Sequence, residues 1–272
     1  MKKLLFIISV LVCMSCEQVI NVDLNTAAPR LVIEASINWE KGTSGNLQTI
    51  KLTTTAGYYD KVIPKVSGAI VSVKNSANTV FDFIEEVGTD FPSGKYTCNN
   101  FIPTIGENYT LTVIHNGQTY TAQEKLLATP AIKDVEQQND LGLNSDEIGI
   151  RVNFIDTPVE KNFYLFRFGT TVNAFPEYET IDSQFTQGNV TSWLYSNKNL
   201  KKGSELNFTL YGITETYYNY MSIVLSNSRG GGAFQTPPIK VKGNIINQNN
   251  EKNYALGYFR LSEVDSYDYT VQ

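Results

Sequence analysis

From Leu31 onward the chain alternates apolar and polar residues in short runs separated by glycine, asparagine and proline. Alternation with a period of two predicts half-buried strands. Residues 31–37 form the first such run. Residues 47–53 repeat it, burying Leu47, Ile50 or their neighbours on one face, with a slip of one at Gln48-Thr49 that predicts a bulge. Residues 69–74 and 79–84 flank Asn75-Ser76-Ala77-Asn78, a turn rich in residues that tolerate positive φ, and so predict a hairpin. Residues 94–98 follow, and then 108–114 and 118–122, joined through His115-Asn116-Gly117, whose Asn-Gly pair is a strong hairpin signal. These seven strands predict an antiparallel sandwich that closes near residue 125.

The pattern restarts around Thr129-Pro130, and proline, which cannot donate to a ladder, marks the expected domain boundary. The predicted fold is mainly β: an immunoglobulin-like or transthyretin-like sandwich over 30–126, then a second β-rich domain over 130–272 with one short helix. Strands of the second domain are expected over 147–154, 162–169 and 206–211, with a long loop over 173–187 between them. The helix follows Thr214, where Tyr217, Tyr220, Met221, Val224 and Leu225 recur at helical spacing, Thr214 caps the start and Gly230 ends the last turn. A strand competes for this segment, because Tyr218, Tyr220, Ser222 and Val224 also alternate, but the caps favour the helix.

Ahead of the sheets, Lys2 and Lys3 precede an apolar run over residues 4–12, much shorter than the roughly 20 residues that span a bilayer. This reads as a signal peptide over 1–15. Cys13-Met14-Ser15-Cys16 follows, and a small residue immediately before a cysteine is similar to the lipobox of bacterial lipoproteins, with Cys16 as the acylated residue. Residues 16–29 are then a tether containing a short strand-like piece over 19–24. The predicted partner at this end is a membrane, held through the lipid on Cys16.

Composition narrows the chemistry. Sixteen Tyr, 14 Phe and 2 Trp against 3 Met favour sheet. The formal charge is −5, and cleavage removes two lysines but none of the 27 carboxylates, leaving 20 − 27 = −7, which disfavours electrostatic adhesion to anionic lipid or nucleic acid, so that acyl chains and not charge are expected to hold the chain. With Cys13 discarded and Cys16 acylated, Cys98 is left as a single thiol, so neither a disulfide nor a multi-cysteine metal site is expected. His115 is the sole histidine and sits at a hairpin tip, so a Ser-His-Asp or Cys-His system and a zinc site are not expected. Asp146-Glu147, Asp265 with Asp268, and Glu85-Glu86 lack calcium-loop spacing and read as solvated surface. No catalytic residue, metal site or cofactor is predicted. Tyr58, Tyr59, Tyr178 and Trp193 are the candidate ligand-contact aromatics, with Phe175 beside them, although aromatics in sandwiches are more often core.

Several features then coincide: Cys16-Glu17, a segment ending in Asp23-Leu24, Leu31-Val32-Ile33-Glu34-Ala35, Val66-Ser67-Gly68-Ala69, Gly94-Lys95-Tyr96, Gly106-Glu107-Asn108-Tyr109 and Ala255-Leu256-Gly257-Tyr258-Phe259. In this order behind a lipobox, the ensemble resembles the Bacteroidota lipoprotein family DUF4249 over nearly the whole mature chain. The resemblance implies an outer-membrane lipoprotein, in a family often encoded beside TonB-dependent receptors, with no catalytic residues to carry over. The function expected from it is that of a non-catalytic accessory of a TonB-dependent transporter in nutrient uptake. A surface glycan- or peptide-binding lipoprotein and a structural envelope protein are the alternatives.

Overall fold

The computed structural model describes residues 28–57, 59–88, 92–141, 147–158, 161–228 and 240–272. The seven N-terminal strands are β1 (Leu31–Glu40), β2 (Gln48–Thr54), β3 (Ile70–Asn75), β4 (Val80–Glu85), β5 (Lys95–Cys98), β6 (Asn108–His115) and β7 (Gln118–Lys125). Each buries alternate side chains, as period-two patterning requires: Ile33, Ala35 and Ile37 on β1, Val71 and Val73 on β3, and Tyr109, Leu111 and Val113 on β6 all point into one core. The two hairpins form where the turn residues predict them. Asn78 has φ +66, and Asn116 and Gly117 have φ +49 and +69, the paired left-handed conformation of a tight two-residue hairpin.

At Gln48-Thr49 the ladder has no slip, because β2 pairs in unbroken register with β5 from Gln48↔Cys98 onward. Gln48 occupies a core-facing position, buried alongside Ile50 and Leu52, while Leu47 is exposed. Burying an amide is tolerated because its hydrogen bonds are made: Nε2 donates to the carbonyls of Asn38 and Gly45, and Oε1 accepts from the Asn38 amide. What reads as a bulge in the pattern is a satisfied polar residue on the buried face.

The second half contributes β8 (Ile132–Leu141), β9 (Glu147–Ile155), β10 (Phe163–Thr170), β11 (Glu177–Asp182), β12 (Val190–Ser196), β13 (Glu205–Ile213), α1 (Glu215–Ser228), β14 (Ile246–Asn247) and β15 (Leu256–Thr270), with one 3₁₀ turn at Glu251–Asn253. The order β12-β9-β8 makes a three-stranded sheet that faces β11-β10-β13-β15 across a second core of Ile150, Val152, Phe154, Tyr164, Phe166, Phe168 and Phe208. The loop expected over 173–187 contains β11, paired to β10 from Phe163↔Asp182 to Phe168↔Glu177. Polar residues on both faces of β11 hide it from a hydrophobic pattern. Helix α1 forms as its cap predicts, with the Tyr217 amide donating to Thr214 Oγ1 at 3.3 Å. It lays Tyr217, Tyr218, Tyr220 and Met221 on the outer face of the β10–β13–β15 sheet, against Phe163, Leu165, Tyr211 and Tyr258. Gly230 and the strand-like piece at 19–24 lie outside the described residues.

The first sandwich does not close at residue 125. Strand β15 returns to it and pairs in parallel with β1 from Val32↔Leu256 to Glu40↔Val264, placing Phe259 and Leu261 in the first core, where Ile245 and Ala255 join them. Farther along, β15 pairs with β13, and Tyr269 and Val271 pack in the second core. Residues 130–272 are therefore not self-contained: the segment from Ile245 to Leu261 completes the N-terminal sandwich. Among the described residues the resulting sheet has 12 strands, in the order β11-β10-β13-β15-β1-β2-β5-β4-β3-β6-β7-β14, and it curls so that its N-terminal part encloses the first core.

Gly257 makes this junction possible. It has φ +94, and a Cβ there would lie 2.1 Å from the Ile33 carbonyl oxygen. Gly257→Ala is expected to cost more than the roughly 1–2 kcal/mol of left-handed backbone alone, a cost isolated by Gly203→Ala, at φ +86 with no atom within 4 Å. Urea midpoints of the two variants check this, and equal losses would contradict a steric role for Gly257.

Candidate functional site

The outer face of the β10–β13–β15 sheet divides into two parts. Helix α1 covers the apolar part. The uncovered part is polar and concave, an open groove of about 690 Å³ lined by Arg167, Gly169, Thr170, Glu205, Asn207 and Asp268, among others. Antiparallel pairing brings these residues together, with Gly169 opposite Asn207 and Asn207 opposite Asp268. A relay of hydrogen bonds then crosses three strands: Arg167 Nη1 donates to Asn207 Oδ1 at 2.9 Å, Thr209 Oγ1 donates to the same oxygen at 3.1 Å, and Asn207 Nδ2 donates to Asp268 Oδ1 at 2.7 Å. Gly169 leaves room for the guanidinium, since a Cβ there would approach Arg167 Nη1 to 3.1 Å. The relay fixes Arg167 and Asp268 while leaving donors on the first and acceptor capacity on the second for a ligand. Hydroxyls, carboxylates and one guanidinium on a half-open face suit recognition of a hydroxyl- or amide-rich partner.

Beneath α1 lies a buried joint. Arg260 is 5% exposed, donates to Ser262 Oγ and Asn38 Oδ1, each at 2.8 Å, and stacks 4.8 Å from the Tyr211 ring. Glu124 Oε2 accepts from the Thr214 and Tyr258 hydroxyls at 3.1 and 3.3 Å. Burial raises the Glu124 carboxyl above its ordinary range, opposed by the Lys125 amide, by those two hydroxyls and by Arg260. The chain between the two halves is held to β15 as well: the Thr129 amide donates to Glu263 Oε2 at 2.9 Å, and Lys41 pairs with the same oxygen at 2.7 Å. These groups lock α1 and the interdomain segment onto the sheet, so the groove beside them has a rigid floor.

The family model for a domain of unknown function, DUF4249, matches residues 17–268. The chain belongs to this family. No curated protein matches it. Among solved structures, a two-domain fibronectin type-III segment of chicken tenascin is 13% identical, covering 60% of this chain and 83% of its own, with a TM-score of 0.22. A cytokine receptor complex is 8% identical, covering 69% and 86%, with a TM-score of 0.27. A DUF4785 family protein from Legionella pneumophila is 10% identical, covering 69% and 54%, with a TM-score of 0.25. Scores this low do not describe a shared overall arrangement.

In this DUF4249 chain the aromatics singled out by sequence are dispersed. Tyr178 sits on β11 directly opposite Arg167 and packs with the cluster that α1 covers. Trp193, on β12, packs against the second core. Tyr59 is 80% exposed on a loop of the first sandwich, and Tyr58 and Cys16 lie outside the described residues. The carboxylates are engaged locally: Glu85 accepts from Ser67 and Gly68, Asp265 from the Ile132 amide and Asp268 from Asn207. Cys98 is buried, and burial pushes its thiol up, away from the reactive thiolate. Arg167 and Asn207 do not read as a site in the sequence, and Asp268 reads there as solvated surface, because the three are 40 and 61 positions apart. The available signal was the lone charge in the run Phe163-Tyr164-Leu165-Phe166-Arg167-Phe168.

The joint predicts a pH dependence. A carboxyl whose folded pKa is raised binds its proton more tightly when folded, so stability falls as pH rises from the unfolded value of 4.5 through the folded value. Glu124→Gln is expected to remove that part of the slope. The check is the difference in urea midpoint between variant and wild type, which should move in the variant's favour as pH rises through this window.

Proposed function

We propose that the chain is a lipid-anchored outer-membrane lipoprotein that acts without catalysis, as an accessory binding partner of a TonB-dependent transporter in nutrient uptake. The anchor reading is supported by the short apolar run ahead of Ser15-Cys16, and the transporter by the association that the family resemblance implies. The observation that carries a binding role is the Arg167–Asn207–Asp268 groove: a polar, concave, braced face with spare donors and acceptors. Such a face engages a partner segment or a nutrient by hydrogen bonding rather than by bond making.

Direct capture of glycan or peptide at the cell surface is the second reading. Phe175 and Phe185, 81% and 89% exposed on loops of the second sandwich, favour it, because exposed rings stack on sugars.

A tagged full-length copy purified from membranes in mild detergent is expected to bring down a TonB-dependent β-barrel. The paired charge reversal Arg167→Glu with Asp268→Lys should lose that barrel while the chain stays folded and membrane-bound, and Cys16→Ser should move the chain to the soluble fraction. A preparation free of barrel, or a barrel retained by the groove variant, would count against the reading. Glycan arrays that bind the chain through Phe175 and Phe185 would support the second.

A further inference from the structure

The two parallel strands β1 and β15 start at the same end of the first sandwich, and that end carries an unusual concentration of positive charge. Arg30 immediately precedes β1, and Tyr254 lies just ahead of β15. The Arg30 guanidinium is centred 4.1 Å from the middle of the Tyr254 ring, with Lys242 Nζ at 4.2 Å and Lys240 Nζ at 5.0 Å. Arg30 Nη1 also donates to the Lys252 and Tyr254 carbonyls at 3.0 and 3.4 Å, which brings exposed Lys252 to the same cluster. Among the described residues none of the ion pairs includes these four cations. The Tyr254 phenol is drawn below its ordinary range, chiefly by a hydrogen bond from Lys240. Like charges gathered this closely repel one another, and an anion between them relieves that repulsion.

A second feature shares this end. Antiparallel β2 finishes beside the start of β1, where the Thr55 amide donates to the Arg30 carbonyl and the Arg30 amide to Thr55 Oγ1, both at 2.9 Å. The chain then runs outward and returns at Pro64, whose carbonyl accepts from the Thr54 amide. The described residues between them include Tyr59 at 80%, Val62 at 74% and Ile63 at 60% exposure, with exposed Lys61 among them. Aromatic and branched apolar side chains interleaved with lysine are the composition of an interfacial segment. Among the described residues the acids near this end include Asp60, whose carboxylate accepts from the Gly57 amide, exposed Glu251, and exposed Glu86, which lines a groove with Ile63 and Lys65; the four clustered cations outnumber these three.

We propose that this end of the first sandwich is a membrane-docking face, on which Arg30, Lys240, Lys242 and Lys252 take the phosphates of anionic lipid headgroups while Tyr59, Val62 and Ile63 enter the interfacial layer. The occupant follows from charge complementarity and from where the chain leaves the fold. Residues 16–29 lead from Arg30 back to Cys16, a length of chain that reaches roughly 45–50 Å at full extension. A membrane holding Cys16 therefore meets this end first. The negative net charge of the chain does not prevent it, because fields from distant surface charges are screened beyond about 8–10 Å, and the local cluster governs the contact. This deepens the lipoprotein reading and rests on it for the identity of the membrane.

The test uses the chain from residue 16 onward with Cys16→Ser, so that no acyl chain contributes, sedimented with vesicles of phosphatidylcholine alone or mixed equally with phosphatidylglycerol. Partition onto the mixed vesicles only, weakening with salt, is the expected result. The triple reversal Arg30→Glu, Lys240→Glu, Lys242→Glu should reduce it by at least about tenfold, and Ile63→Asp should also weaken it. The triple reversal Lys198→Glu, Lys201→Glu, Lys202→Glu changes the net charge equally at the other end, near the C-terminal end of β15, and should leave partition unchanged. Circular dichroism and melting curves confirm that each variant is folded. Absence of partition, equal partition onto neutral vesicles, or equal loss in both triple variants overturns the docking face. Binding of inorganic phosphate at the cluster without vesicle partition would replace the lipid surface by a soluble anion and also overturn it. Palmitate labelling of the full-length wild type separately decides the anchor: failure there, with vesicle partition intact, removes the lipoprotein reading and leaves the docking face standing.

Discussion

The parallel pairing of β1 with β15 organises the molecule. Parallel neighbours cannot be joined by a tight turn, so the chain between them must travel the length of the sheet and come back. Here that connection is the rest of the first sandwich, the second sandwich and helix α1. Because β15 supplies Phe259 and Leu261 to one core and packs Tyr269 against the other, where Val271 just beyond it is buried, the two cores share a backbone ladder rather than a linker. The last strand adds to the ladder the hydrogen bonds of nine register pairs along β1 and buries apolar groups in both sandwiches.

Two surfaces follow from that arrangement. Along β15, its register with β13 sets Asp268 opposite Asn207 and so builds the polar groove beside α1. At the start of β15, its register with β1 sets Tyr254 beside Arg30 and so gathers the basic cluster. One lies at the end from which the tether leads and the other near the opposite end of the same strand. A chain moored through the basic end would turn the groove away from the bilayer, toward whatever partner it meets.

The parts of this fold that could be read in the sequence are those fixed by local backbone preference. Asn116-Gly117 and Asn75 to Asn78 dictate their turns because left-handed φ angles suit few other residues. Thr214 marks the helix because a hydroxyl there satisfies an orphan amide. The parts that could not be read depend on partners far away. Residues Tyr258 to Ser262 are buried on both faces, so β15 shows no period of two and gives no hint that it belongs to the first sandwich. Buried Gln48 imitates a bulge, and polar β11 imitates a loop. The groove was invisible for the same reason: its three key residues meet only after β13 has inserted between β10 and β15. Of the described aromatics chosen from sequence, Tyr178 pairs opposite Arg167, and Trp193 packs against the second core.

If β15 joins both sandwiches through one ladder, they should lose structure together. Differential scanning calorimetry of the intact chain tests this directly. A single transition whose calorimetric and van't Hoff enthalpies agree is expected. Two separate transitions, each with its own enthalpy, would contradict it and show the halves to be independent domains joined end to end.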